Sequence, residues 1–272
     1  MTTLITGSAG FVGRHLSPLL DDEIVAIDRT LGQDLTEPGT AMRIAVQEVD
    51  TVYHLAAEHF VPWCRLHPVE TLLTNVSGFM NVLAGLEQHP PKRIVFTSSA
   101  AVYGLNPMLR LEGDPLDPVD VYGWSKVIGE ELLEAFSQRH PETTCVSARL
   151  ANVYGPDDPH EHIIPVLLAA KANEETPALG NLWPQRDYIH VDDVADALVT
   201  LSDLAPGYHV YNVGTGIGTT VMQLISLLGW PSWTVDPDKM RDNDGHLILG
   251  VHKINHDTGW IARHSLQEVL AA

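Results

Sequence analysis

The chain has 272 residues and a mass of 29.8 kDa, room for one large domain or two modest ones. Its 16 Lys and Arg against 35 Asp and Glu leave a net charge of −19, which excludes the basic surface that nucleic acid or anionic lipid requires. No stretch reaches the roughly 18–20 apolar residues of a membrane span, and the two cysteines, Cys64 and Cys145, sit in no C-x-x-C or His/Cys cluster, so a reduced, cytoplasmic enzyme without disulfides or structural metal is expected.

The chain opens on a short β-branched strand over 2–6 with no basic leader before it, so no signal peptide is expected. Directly after it, "TGSAGFVG" sets Gly7, Gly10 and Gly13 in a G-x-x-G-x-x-G run that opens a helix near Phe11. Strand, tight glycine turn and helix in that order suit a pyrophosphate, which needs close backbone approach and a helix N-terminus. A second strand over 23–28 ends on Asp28, 21 residues after Gly7, where a carboxylate can accept both adenosine ribose hydroxyls and repel a 2′-phosphate. Arg29 beside it keeps NADP open as the alternative to NAD. Only five residues separate Asp28 from Asp34, so the usual helix between strands two and three is missing and the third strand should be vestigial. Asp34 then stands at its tip near the adenine, or serves as a turn or cap residue ahead of a helix over 37–48.

Further strands are predicted over 51–57, 93–99, 144–150 and 209–214, and helix-period stretches over 69–89 and 122–140. This alternation predicts an α/β fold, a Rossmann-type doubly wound parallel sheet covered on both faces. Beyond about residue 151 proline and glycine become frequent, which predicts a smaller, discontinuous, loop-rich C-terminal lobe for substrate. The expected division is a nucleotide-binding domain over 1–151, with 186–215 returning to it, and a substrate lobe formed by 152–185 and 216–272. Fourteen histidines include the pairs His160/His162 and His252/His256, but without an H-E-x-x-H context they read as surface or core residues, not metal ligands.

The run "RIVFTSSAAVYG" ends a strand at the carboxyl edge of the sheet, where open α/β folds place ligands. Ser98 and Ser99 lie there, and Ser99 precedes Tyr122 by 23 residues. Tyr122 and Lys126, at i and i+4, share one helix face. With the glycine run, and with "HLAA" (54–57), "NVSGFMNVL" (75–83), "ARLANVYGP" (148–156), "QRDYIHVDDVADA" (185–197) and "YNVGTG" (211–216), the chain resembles the extended short-chain dehydrogenase/reductase family. The likeness is to its NAD-dependent epimerase/dehydratase branch, which acts on nucleotide sugars, and within that to the C4 epimerases of UDP-glucose and UDP-galactose.

The resemblance implies a catalytic set of Ser99, Tyr122 and Lys126. Ser99 would hydrogen-bond the reacting oxygen, Tyr122 would take the proton of a sugar hydroxyl, and Lys126 would hold the nicotinamide ribose. Lys126 and the nicotinamide cation are expected to bring the phenol below its usual value near 10. It implies NAD contacts from Gly7, Gly10, Phe11, Val12, Gly13, Asp28, Arg29, Asp34, Leu35, Leu55, Ala56 and Ala57, and substrate contacts from Ser99, Asn152 and Arg186. Arg241 stands where relatives carry Arg-Pro-Gly-Asp, but here the Pro-Gly is missing. A homodimer through the 69–89 and 122–140 helices is expected as well. Where dehydratases carry acids after the Ser/Thr, this chain has Ala100 and Ala101, so an epimerase is expected, with a dehydratase, decarboxylase or ketoreductase as alternatives if Glu112 or Asp114 reaches in. A non-catalytic dinucleotide sensor is the alternative from another class.

Overall fold

A computed structural model describes residues 1–230, 232–240 and 245–271. Its strands are β1 (Thr2–Thr6), β2 (Glu23–Ile27), β3 (Thr51–His54), β4 (Arg93–Ser99), β5 (Thr144–Leu150), β6 (Asn152–Tyr154), β7 (Ala178–Leu179), β8 (Gln185–His190), β9 (Gly207–Val213), β10 (Gly218–Thr220) and β11 (Thr234–Val235). The helices are α1 (Phe11–Leu16), α2 (Thr40–Ala45), α3 (Val61–Leu66), α4 (Pro68–Leu72), α5 (Gly78–Leu86), α6 (Val121–Arg139), α7 (Ile163–Ala172), α8 (Val191–Ser202), α9 (Val221–Leu227), α10 (His252–Thr258) and α11 (Leu266–Ala271). None of the described helices is long and apolar enough to cross a membrane.

Six parallel strands form the main sheet in the order β2-β1-β3-β4-β5-β9. Strand alternation sends neighbouring residues to opposite faces. Ile5, Tyr53, Val95 and Val146 meet Leu16 of α1 and Val194, Leu198 and Leu201 of α8 on one face. Leu4, Val52, Ile94 and Cys145 meet Ile44 of α2, Phe79 and Val82 of α5, and Leu133 and Phe136 of α6 on the other. Burial on both faces is why these strands read as near-continuous apolar runs, and it gives the doubly wound architecture. A three-stranded sheet, β10-β8-β6, and a pair, β11-β7, make a smaller unit around Tyr154, Leu167, Tyr188 and Leu224.

Four local features bear on the sequence-based expectation. No strand lies between β2 and β3, and Asp34 takes the turn role, its alternative reading: its Oδ1 accepts from both the amide and the hydroxyl of Thr36, each at 2.8 Å. The helix after it covers only Thr40–Ala45, entered through Gly39 at φ 89°. The stretch expected over 69–89 is a helical rod from Pro68 to Leu86, broken by a π turn, Leu73–Ser77, between α4 and α5. Residues 185–190 pair with β6 and β10, so the chain's return to the main sheet begins with α8.

Beneath the carboxyl ends of β4 and β5 lies a buried polar network. Arg149 of β5 donates to both carboxylate oxygens of Glu130 on α6, at 2.9 and 2.6 Å, and to Tyr103 Oη at 2.7 Å. Ser98 Oγ donates to the same carboxylate, and Tyr103 Oη donates to Asn212 of β9 at 2.9 Å. Both members of the ion pair are 5 % exposed, so removing one charge strands the other without solvent. Glu130→Gln should therefore lower folding stability by about 3–5 kcal/mol in urea titration, while a Glu130→Gln/Arg149→Met double variant should recover part of that loss.

Candidate active site

The strand order reverses between β1 and β3, and the sheet opens there into a cleft of about 1330 Å³ along its carboxyl edge. One end of the cleft is the glycine turn. Gly7 has φ +71°, and a Cβ there would lie 2.7 Å from the Ala56 amide nitrogen, so only glycine lets β1 pass this close to the β3 exit. Gly10 caps α1 without a side chain, leaving the first helical amides open toward the cleft. Asp28 ends β2 facing this turn: its Oδ1 accepts the Thr30 amide at 2.8 Å and its Oδ2 the Ala9 amide at 3.1 Å. Arg29 is paired with Glu58 across 3.5 Å. Asp34 is held by Thr36, whose hydrogen bonds lower its pKa against the opposing effect of burial.

The other end of the cleft is built by α6. Asp120 caps this helix by accepting the Gly123 amide at 2.9 Å. A Cβ at Gly123 would overlap the Ala101 carbonyl oxygen, so the missing side chain lets the first turn of α6 settle against the end of β4. That contact sets Tyr122 beside Ser99 at the cleft, and the Ser99 Oγ accepts the Ala101 amide at 3.1 Å. One turn on, the Lys126 Nζ is buried, donates to the Thr97 carbonyl at 2.7 Å and lies 5.8 Å from the centre of the Tyr122 ring. Ser98, by contrast, points down into the Glu130–Arg149 network.

The electrostatics correct one expectation. Burial pushes the Tyr122 phenol up to about 12, and the Ser99 hydrogen bond is what opposes this; Lys126 is not among the groups that lower it. Burial also drives Lys126 down to about 7, against the attraction of Glu130. The chain by itself therefore holds the phenol protonated and the amine close to its titration point.

Gly7, Gly10, Phe11, Val12, Gly13, Asp28, Arg29, Asp34, Leu35, Leu55, Ala56 and Ala57 all line this cleft, as do Ser99, Tyr122, Lys126, Asn152 and Arg186. Arg186 donates to the carbonyls of Gln185 and Gly245, at 2.9 and 2.7 Å, and burial lowers its pKa. Arg241 lies outside the described residues. Glu112 is turned away, accepting the Asn212 amide at 2.9 Å, and Asp114 accepts the Leu111 amide at 3.0 Å.

The sequence profile of the NAD dependent epimerase/dehydratase family matches residues 3–214. The chain belongs to this family. A UDP-glucose 4-epimerase from Mycolicibacterium smegmatis is 31% identical over 82% of this chain and 80% of its own. The crystal structure of a UDP-glucose 4-epimerase from Thermotoga maritima, with UDP-glucose, superposes with a TM-score of 0.92 at 27% identity, covering 99% of this chain and 96% of that one. MoeE5, in complex with UDP-glucuronic acid and NAD, superposes with a TM-score of 0.89 at 29% identity, covering 100% of this chain and 97% of that one. NAD is thus the cofactor of this enzyme, and the glycine turn with no room for a Cβ and the carboxylate at the end of β2 suit it.

Asn75 was not singled out in the sequence, though it stands in "NVSGFMNVL". The π turn aims it inward: its Oδ1 accepts the Glu58 amide at 2.7 Å, and its Nδ2 donates to the Glu58 carbonyl and to Ser125 Oγ, both at 2.9 Å. It thereby ties the loop after β3 to α6. Nothing in the period of the sequence signals a π turn.

Lys126 yields a test of its environment. With a folded pKa of about 7 against 10.5, the folded chain binds fewer protons than the unfolded one between these values, so stability attributable to this site rises with pH across that window. In cofactor-free protein, wild-type stability measured against Lys126→Met should increase from pH 7 to pH 9. A pH-independent difference would contradict the buried, readily neutralised amine.

Proposed function

We propose that the protein epimerises a nucleotide sugar at C4 through a transient 4-keto sugar. The observation that carries this reading is that Ser99, Tyr122 and Lys126 line one cleft, with Lys126 one turn after Tyr122 on the same helix and its Nζ 5.8 Å from the centre of the Tyr122 ring. The similarity to UDP-glucose 4-epimerases over most of the chain supports it. Bound NAD supplies the hydride acceptor and, after the sugar turns, the donor. Tyr122, which the positive charge of the bound nicotinamide would bring to the phenolate, accepts the proton of the C4 hydroxyl as the carbon is oxidised and returns it at the end. Ser99 holds that oxygen, and Lys126 holds a ribose hydroxyl of the cofactor. Gly7, Gly10, Gly13 and Asp28 hold its pyrophosphate and adenosine, and Arg186 and Asn152 face the substrate's diphosphate and sugar. Arg29, engaged with Glu58, favours NAD over NADP.

The choice of epimerisation rests on the two residues after Ser99. Ala100 and Ala101 have no proton to give or take, and Glu112 and Asp114 are occupied elsewhere. Water therefore has no acid to help it leave C6, while the keto sugar keeps space to present its other face. Tyr122→Phe should keep NAD affinity and lose at least about a thousandfold in turnover, of the order that general acid–base catalysis contributes. Mass spectrometry of the wild-type reaction should show a product of unchanged mass and no build-up of NADH; loss of one water would contradict the epimerase reading.

The free, buried cysteines fit the cytoplasmic placement expected from the sequence. A second copy of the chain is the proposed occupant of an apolar face on the helices that pack beside the active site. Leu66, Val69, Leu73 and Met80 on the α3-to-α5 rod, with Trp124 on α6, are 51–78% exposed. They lie on the two stretches, 69–89 and 122–140, through which the family likeness implies pairing, or directly beside them. Light scattering should give a dimer mass at micromolar concentration, and Leu73→Glu combined with Trp124→Arg should give a monomer.

A further inference from the structure

Behind the cofactor end of the cleft, residues from three distant parts of the chain converge: His15 on α1, His190 and Asp192 at the start of α8, and His264 in the segment before α11. Ligand atoms of His190, Asp192 and His264 all lie within 4.8 Å of one another. The two imidazoles stack with centroids 4.3 Å apart and planes at 29°. His190 Nδ1 is 3.6 Å from Asp192 Oδ2.

The surroundings of these groups are those of a built site. Asp193 accepts both the backbone amide of His264 at 3.0 Å and its Nδ1 at 2.9 Å, which leaves the Nε2 lone pair as the free ligand atom. A carboxylate behind an imidazole in this way fixes its tautomer and raises its basicity toward a metal. His15 Nδ1 meets Asp192 Oδ1 at 2.6 Å, so this carboxylate too is oriented, with its second oxygen turned to His190. His190 Nδ1 faces the Asp192 amide at 3.3 Å, a long hydrogen bond that a metal could displace. His190 is 5% exposed, whereas the side chains of Asp192 and His264 are 51% and 42% exposed, so an ion has an entry path on one side only.

We propose that His190, Asp192 and His264 bind one Zn²⁺, with water or His15 as the fourth ligand and Asp193 as the partner that orients His264. Two imidazoles and one carboxylate are a zinc-type donor set; Mg²⁺ and Ca²⁺ take oxygen ligands. The ion fastens the C-terminal segment to the start of α8, which packs against the helix that begins at the glycine turn. Closing the set requires the exposed His264 ring to tilt out of the stack about its Asp193 hydrogen bond, and the donors to draw in to about 2.0–2.2 Å from the metal. The spacing 190, 192 and 264 matches no sequence motif for zinc, and so only the fold brings the donors together.

The test is calorimetric titration of metal-stripped, untagged protein with Zn²⁺ and, separately, Mg²⁺. One Zn²⁺ per chain at micromolar or tighter dissociation constant is expected, with no Mg²⁺ binding in that range. His264→Ala and Asp192→Asn should each weaken Zn²⁺ binding at least tenfold, and Asp193→Ala about 10–100-fold, the loss typical of an orienting partner. His252→Ala, in the i, i+4 pair His252/His256, should leave it unchanged. Zn²⁺ should also raise the thermal midpoint of wild type and not that of His264→Ala, with unaltered NAD affinity reporting that the variant is folded. Absence of micromolar Zn²⁺ binding, or binding indifferent to His264→Ala, would overturn the proposal.

Discussion

The bidentate pair between Arg149 and Glu130 is the contact on which the geometry of the cleft depends. It joins β5 to α6, and the same carboxylate takes the hydrogen bond of Ser98 at the end of β4. Through Tyr103 and Asn212 it reaches β9 as well. A charge pair in such a place is a poor source of stability compared with apolar packing, because desolvation offsets the attraction. What it does provide is direction: its donors are matched to acceptors on fixed elements, so the helix cannot slide along the sheet without leaving a buried group unpaired. Ser99 follows Ser98 directly and Tyr122 stands on the same helix as Glu130, so the network also sets the register of Ser99 against Tyr122.

A second consequence concerns charge. The chain carries a net −19, yet the α6 end of the cleft presents one buried amine against a phenol, with Glu130 as the main charge acting on that amine. Burial acts on the two groups in opposite directions, raising the phenol to about 12 and lowering the amine to about 7, and in both cases it favours the neutral form. A site built this way is poised so that positive charge arriving with a ligand has a large effect, since there is little water to screen it. The expectation that Lys126 would help to lower the Tyr122 phenol treated the pair as if it stood on a solvated helix. Spacing along a helix gives proximity, but it says nothing of desolvation.

How much could be read beforehand follows the same division between local pattern and tertiary environment. The glycine turn and Asp28 were legible from short-range spacing at strand ends, while Ser99 and the Tyr122/Lys126 pair stood out through the family resemblance, and all of them line the cleft. The doubly wound sheet was legible because strands buried on both faces leave near-continuous apolar runs. Near Asp34 two readings were open, a strand tip and a turn residue, and the choice between them lay in the Thr36 hydrogen bonds, which spacing alone does not give. The π turn that aims Asn75 at Ser125 leaves the apolar period of its helix intact and so has no signature. Arg149 and Glu130 looked like ordinary strand and helix charges, 19 residues apart, and only the fold makes them partners.

The placement of the smaller sheet follows from one more buried carboxylate. Asp187 on β8 accepts the amide and hydroxyl of Thr215 at 2.9 and 2.6 Å and the amide of Gly216 at 3.0 Å, which fixes the link from β9 of the main sheet to β10 of the small one. A Cβ on Gly214 would lie 2.5 Å from its Oδ2, so the link passes directly over it. Burial raises the pKa of Asp187 while those hydrogen bonds lower it, a balance that makes the carboxylate useful only where the link stays in place. Because side chains alternate along a strand, anchoring Asp187 inward sends Arg186 and Tyr188 to the other side, and both line the cleft. The small sheet is therefore docked by the same residue that aims its guanidinium neighbour, which makes the distance from Arg186 to Tyr122 a property of the fold, not of a mobile loop.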